Sequence, residues 1–422
     1  MMNDVTMDSK FIAIGVVAVL VVAGVGYAIY SMGGDDNNGV VGEDVDFVGR
    51  AIQPVENVND GIVAIGQDSF RWMTYFGLAD KCVMIDTNDR TNFMGKAFMY
   101  IGRALADVSE TDLDDYTHAN CAITAGDVSH IMSIEPSIVV VPEGFYTDYA
   151  NEYKSLVDYG LNVVSIGYIY TFLEPGTFKI SERMNAQIDL LNNVFSKVLD
   201  TNRGQELKDG INSTVSDIRA MAGTVTTQKS AYIGAIAYNG AHGTDSSMTY
   251  YMPFALAGVK NIMDDGTYSL IGSDVKTFSA TTIKENITSD TILFLDGTGI
   301  YMCTDNTSKG IIQLFVGHDA FVACPYIWTG MNFESVLISA YQIMRDAYGT
   351  LTQSQFEAKV NAIHDLFLGD HISNRDIVAS TTPVPAPGTT VYQDMNNLYE
   401  TMRGNPISGA ITIAADGTLS FA

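Results

Sequence analysis

The sequence predicts an α/β protein: two doubly wound α/β lobes joined by one long helix, with an N-terminal transmembrane helix and a small C-terminal helix plus hairpin extension. Three observations carry this. Short β-branched runs alternate with helical stretches before residue 178 and again after residue 222. Runs such as Ser-Ile-Val-Val-Val-Pro have no polar face, which marks strands covered on both sides in a parallel sheet. Between the two sets, residues 179–222 turn to sustained helical periodicity.

The chain opens with an anchor. Every residue from 11 to 30 is apolar, glycine or tyrosine, and twenty residues rising about 1.5 Å each span roughly the 30 Å hydrocarbon core of a bilayer. The leader carries Asp4, Asp8 and only Lys10, unlike the basic leader of a cleavable signal peptide. Tyr27 and Tyr30 fall at an aromatic-belt position, and Asp35 and Asp36 follow with no basic cluster, so the body is expected outside the cell. Residues 1–32 are the anchor. Residues 33–59 are acidic and rich in Gly and Asn, a flexible tether with a reach of roughly 25 to 30 Å.

The first lobe is expected over residues 60–178. Strand candidates are 61–65, 82–85, 121–124, 138–141 and 162–166, and helices are expected at 70–78, 98–106, 127–133 and 148–159. Asp127 and Asp148 stand where helix caps belong. The connection, 179–222, places apolar residues at Ile180, Met184, Ile188, Leu191, Phe195 and Val198, then at Leu207, Ile211, Val215 and Ile218. A second lobe over 223–370 has strands at 231–237, 291–296 and 321–324, and helices near 250–257, 309–315, 333–346 and 353–368. In the extension, 371–422, Pro383, Pro385 and Pro387 mark a loop, 392–403 reads as a helix, and 410–421 alternates around Asp416-Gly417, a hairpin signal.

The chain has 23 Lys and Arg against 49 Asp and Glu, a formal charge of −26. That excludes nucleic acid as a partner, since polyphosphate binding needs a basic surface. No GxSxG, HExxH or P-loop occurs, and the six histidines are scattered, so no catalytic residue, metal site or cofactor is assigned and an enzyme is not expected. Cys82, Cys121, Cys303 and Cys324 show no metal-type spacing. Cys82 with Cys121 and Cys303 with Cys324 are candidate disulfides within each lobe, with four buried thiols as the alternative.

The opening strand and helix (Gly61-Ile-Val-Ala-Ile-Gly, then Phe70-Arg-Trp-Met-Thr-Tyr-Phe-Gly-Leu), the run Asp127-Val-Ser-His-Ile-Met-Ser-Ile-Glu-Pro-Ser-Ile-Val-Val-Val, and Tyr238-Asn-Gly-Ala-His-Gly followed by Tyr250-Tyr-Met-Pro-Phe stand in a distinctive order. That order resembles the solute-binding proteins of iron-complex and vitamin B12 ABC transporters, over about residues 61–368. The resemblance implies a ligand held between lobes, limited closure, and docking on an ABC permease through one acidic residue per lobe. Ser129 stands at the first docking position, and Glu285 is the candidate in the second.

Ligands of doubly wound sheets lie beyond the carboxyl ends of the strands. The candidate ligand contacts in those loops are Arg71, Trp72, Arg90, Tyr146, Tyr238, His242, Tyr251, Tyr301, Tyr326 and Trp328. The tryptophans offer stacking faces, the arginines a bidentate fork for carboxylates of a chelate, and His242 an imidazole for an iron or cobalt centre. Core packing, pairing with nearby acids and a structural turn are the respective alternatives. The function expected is a monomeric, membrane-tethered binding component that delivers a metal chelate or tetrapyrrole to a permease. A surface sensor or adhesion protein, or an extracytoplasmic hydrolase, is the alternative.

Overall fold

The structure is a computed structural model and describes residues 45–86, 89, 122–237, 242–268, 275–297, 299–303, 305–324, 326–327, 330–369 and 410–421. The anchor, residues 33–44 of the tether, the helices expected at 98–106 and 392–403, and Cys121, Arg90, Tyr238 and Trp328 lie outside the described residues. Among the described residues no helix is long and apolar enough to cross a membrane.

The first lobe runs β1 (Ile62–Ala64), α1 (Ser69–Tyr75), β2 (Cys82–Ile85), α2 (Ala125–Ile134), β3 (Ile138–Pro142), α3 (Phe145–Asp148), α4 (Ala150–Tyr159) and β4 (Val163–Ile166). Its four strands form a parallel sheet in the order β2-β1-β3-β4. The β-branched runs work as their composition demands. Ile62, Ala64, Ile138, Val140, Val164 and Ile166 face one hydrophobic core, while the alternate residues Val63, Val139, Val141 and Val163 face another, under α2 and α4. Residues 122–124 are not a strand: Thr124 caps α2 instead, its backbone N–H donating to Asp127 Oδ2 at 2.7 Å while its hydroxyl accepts from Asp127 N at 3.4 Å. A reciprocal cap of this kind satisfies two helix-end donors, and so outweighs a short apolar run.

Two helices follow, α5 (Glu182–Val194) and α6 (Arg203–Ala222). Asn202 caps α6 by accepting from Gln205 N at 3.1 Å, and Leu207, Ile211, Val215 and Ile218 bury one face of it. At its start, Arg203 Nε donates to Tyr75 O of the first lobe at 2.9 Å. Near its end, Arg219 Nη1 donates to Leu256 O of the second lobe at 2.9 Å.

The second lobe contains β5 (Ser230–Gly234), β6 (Ser246–Met248), α7 (Met252–Ala257), β7 (Lys260–Asn261), β8 (Val275–Thr277), α8 (Ala280–Asn286), β9 (Thr291–Asp296), α9 (Asn306–Ile312), β10 (Ala320–Ala323), α10 (Phe333–Asp346) and α11 (Gln353–Leu368). Its parallel sheet has the order β10-β9-β5-β7, with β6 and β8 as a separate antiparallel ribbon. The expected hairpin is present as β11 (Ile411–Ile413) and β12 (Leu419–Phe421). It lies on the outer edge of the second sheet, where Ala410 bridges Phe321 of β10 and Ile411 is buried.

The cysteine pairing expected in the second lobe is not made. Cys82, Cys303 and Cys324 are free thiols. Cys303 follows the turn after β9 and its sulfur takes the Thr244 hydroxyl at 3.2 Å, while Cys324 closes β10 beside Ser339 of α10. Each sulfur is engaged by a different neighbour. Burial pushes both thiols up to about 12.

Candidate functional site

The carboxyl ends of the two sheets meet at one place. In the first lobe β1 runs into Gly66, Gln67 and Asp68, and Asp68 takes a left-handed conformation (φ 64°) to start α1. In the second, β10 runs into Cys324 and Tyr326, whose N–H donates to the Asp296 carboxylate at the end of β9 at 2.9 Å. The chain then turns, through the bridge between Ile327 and Met331, into Asn332 and α10.

These two turns touch. Arg71 of α1 donates from Nε to Asp68 Oδ1 at 2.8 Å and from Nη1 to Asn332 Oδ1 at 2.6 Å. The hydroxyl of Tyr75, one turn along, donates to Glu334 of α10. Gly330 (φ 148°) is required here, because a β-carbon in its place would lie 2.5 Å from Asp68 Oδ1. Burial raises the Asp68 carboxyl above its ordinary range and the Arg71 charge opposes that shift. Tyr75 is pushed well up by burial and by Glu334. The floor between the lobes is therefore a sealed polar network.

That network corrects the expectation for Arg71 and Trp72. Both side chains are fully buried, because α1 is wedged between its own sheet and the start of α10. Trp72 packs against Tyr75, Phe76 and Phe333 with ring centroids 5.7, 6.4 and 6.0 Å away. Neither is open to a ligand in this arrangement. Tyr251 and Tyr326 are likewise buried, their rings in tilted contact with centroids 4.9 Å apart inside the second lobe. Tyr146 is 50% exposed and stands edge-on to Tyr153 of α4. His242 is half-buried, on the loop whose backbone packs against Gly299 after β9. The backbone of Tyr301 lies in the short turn after β9, and Glu285 is exposed on α8, as Ser129 is on α2.

The rim of the first lobe combines Glu143, in one of the strand-end loops where a ligand is expected, with Tyr168, Tyr170 and Arg183, which sequence reasoning passed over. Glu143 follows β3, and Tyr168 and Tyr170 follow β4. Glu143 Oε1 accepts from Tyr168 N at 3.0 Å and from Arg183 Nη2 in the first turn of α5. Tyr170 lies between this rim and the floor: burial, with the Glu143 charge next, pushes its phenol up to about 12, and Arg183 and Asp68 also act on it. Arg183 comes from the segment assigned to the connection. The available signal was its place two residues after Ser181, which caps α5 by accepting from Met184 N at 3.1 Å.

No family model and no curated protein matches this chain by sequence. Solved structures do match it in fold. The molybdate-binding periplasmic protein MolA of Haemophilus influenzae, determined with molybdate, superposes with a TM-score of 0.50 at 13% identity, over 77% of this chain and 97% of that one. The TroA-like periplasmic binding protein FepB of Veillonella parvula gives 0.44 at 12% identity over 77% and 95%. The triscatecholate siderophore-binding protein FeuA of Bacillus subtilis gives 0.42 at 10% identity over 70% and 95%. The resemblance read from the sequence thus holds at the level of the fold.

Proposed function

We propose that this chain is the membrane-tethered, extracytoplasmic solute-binding component of an ABC importer, capturing a metal chelate between its lobes and delivering it to a permease. A ferric siderophore, haem or a corrinoid is the class of ligand intended. One observation carries the reading: two parallel sheets turn their carboxyl-end loops toward a common floor, where Asp68, Arg71 and Asn332 join the lobes. Open α/β sheets take ligands at that end. The fold likeness to MolA agrees with a binding role and adds a metal oxyanion to the ligands worth testing.

In this reading residues 60–178 and 223–370 are the binding lobes, 179–222 connects them and 371–422 is an accessory extension. The apolar stretch 11–30 holds the monomer to the membrane, and Ser129 and Glu285 face the permease from exposed helices. No catalysis is assigned. The test is calorimetric titration of the full chain in lipid nanodiscs with a ferric tris-catecholate, haem, cyanocobalamin and molybdate. Binding of one of these at micromolar concentration or below is expected. A stably folded chain that binds none of them would return the function to a surface sensor or adhesion protein.

A further inference from the structure

The first-lobe rim is completed by residues that belong to neither sheet. Residues 46–50 form a tight turn ahead of β1, closed by Asp46 N donating to Arg50 O at 2.8 Å and by the bridge between Val45 and Ala51. The Asp46 carboxylate is buried. It accepts from Ser165 N of β4 at 3.0 Å through Oδ2, and from Val48 N and Arg50 N at 3.1 and 2.9 Å through Oδ1. This staples the turn to the end of β4. The tip of the turn, Phe47, then lies flat against Gly167, the first residue past the strand, where any β-carbon would collide with the ring.

Arg183 rests on that ring. Its guanidinium carbon is 4.7 Å from the Phe47 centroid, Nε donates to Tyr168 O at 2.7 Å, and Nη2 donates to Glu143. Three sides of the guanidinium are thus fixed. Nη1 carries no hydrogen bond among the described residues, and the side chain is 32% exposed on the rim above Tyr170. Arg71, by contrast, spends its donors inside the floor. A guanidinium held by a ring, a carbonyl and a carboxylate has little freedom left to lose when an anion arrives, so the free donor is pre-organised.

We propose that Arg183 is a specificity-determining residue of the inter-lobe site, recognising an anionic oxygen of the ligand, a carboxylate, catecholate or oxyanion oxygen. Phe47 of the N-terminal turn is its positioning residue. This rests on the binding reading above, and it adds an element outside the two lobes to the site. The ligand class follows from the chemistry: a planar, permanently charged donor favours anionic chelates and oxyanions over neutral corrinoids.

The experiment is titration of the full chain in nanodiscs with a ferric tris-catecholate, molybdate, haem and cyanocobalamin, for the natural sequence, Arg183→Gln, Phe47→Leu and the double variant. Affinity for the anionic probes falls about tenfold or more in Arg183→Gln. Phe47→Leu weakens them by a smaller factor, and it weakens them no further once Arg183 is gone, which a merely structural role of Phe47 would not produce. In the natural sequence, raising salt from about 0.05 to 0.5 M weakens the same probes, a measurement independent of any variant. Affinity unchanged within twofold in Arg183→Gln, or cyanocobalamin as the sole binder, overturns this inference and leaves the binding role standing. Absence of binding by all four probes removes the binding role, and this inference with it.

Discussion

Arg71 of the first lobe donates to Asn332 of the second across 2.6 Å, with both side chains shut away from solvent. The bond is charge-assisted, and its donor is already oriented by Asp68. Arg71→Met leaves the Asp68 carboxylate buried without its partner, and removal of one member of a buried pair lowers stability by about 3–5 kcal/mol. Asn332→Ala, which removes only the acceptor, lowers it by about 1.5–3 kcal/mol. Denaturant unfolding measures both, and a pair of equal, sub-kilocalorie changes would show that the lobes are held elsewhere.

Gly330→Ala tests the same contact from the backbone. It combines a conformation that L-residues rarely adopt with a collision against Asp68, whereas Gly349 (φ 62°) has open space around it. Gly349→Ala is expected to lower stability by about 1 kcal/mol. Gly330→Ala should lower it by more, and the excess should shrink in an Asp68→Gly background. Equal losses at the two glycines would refute the collision.

His364, on α11, is buried and its imidazole pKa is pulled down from 6.5 to about 4 by burial. Between those values the unfolded chain takes up a proton that the folded chain refuses, so stability falls as pH falls through that window. The full difference amounts to about 3 kcal/mol. His364→Gln should flatten the stability profile between pH 6.5 and 4 relative to the natural sequence. Parallel profiles for the two proteins would sink the assignment.

The thiols make a redox prediction. Cys303 and Cys324, both raised to about 12 by burial, should resist alkylation at pH 8 while the protein is folded. Once it is unfolded without reductant, both should be labelled, as mass spectrometry of the digest would report. A disulfide between them would leave both unlabelled under the same conditions.

Removal of residues 410–422 uncovers the outer edge of β10, which the bridge from Ala410 to Phe321 now occupies. Exposed strand edges recruit other chains. The truncated protein should self-associate in sedimentation experiments at concentrations where the full chain does not. A monodisperse truncated protein would argue that the hairpin has no part in guarding the edge.

Much of the fold was legible from burial patterns alone. The run Ile138-Val139-Val140-Val141 admits only a strand covered on both faces, and the spacing of Leu207, Ile211, Val215 and Ile218 sets the buried side of α6. The hairpin at Asp416-Gly417 was legible because its turn chemistry is local. The site was not, because its decisive contacts join residues far apart in sequence. Arg71 was read as a ligand contact, with pairing to nearby acids as the alternative, and its partner Asn332 lies 261 residues away. Arg183 was missed because a lone arginine early in a helix has no distinguishing sequence context until Phe47, Glu143 and Tyr168 surround it. Trp72 was read as a stacking face, yet nothing local tells a stacking tryptophan from one that fills a core.

The long helix α6 is gripped at Arg203 by both lobes, through Tyr75 O of the first and Leu366 O of the second, and at Arg219 by the second again. Mechanically it is a strut clamped at both ends. Changing the angle between the lobes means breaking the junction at Arg203, where both lobes meet the helix, so the molecule resists deformation much as a stiff spring does. Under the binding role proposed above, radius of gyration should then hardly respond to a saturating ligand. The heat-capacity change of association should reflect the guest's own apolar surface and the loops that cover it, with little added from lobe faces coming together.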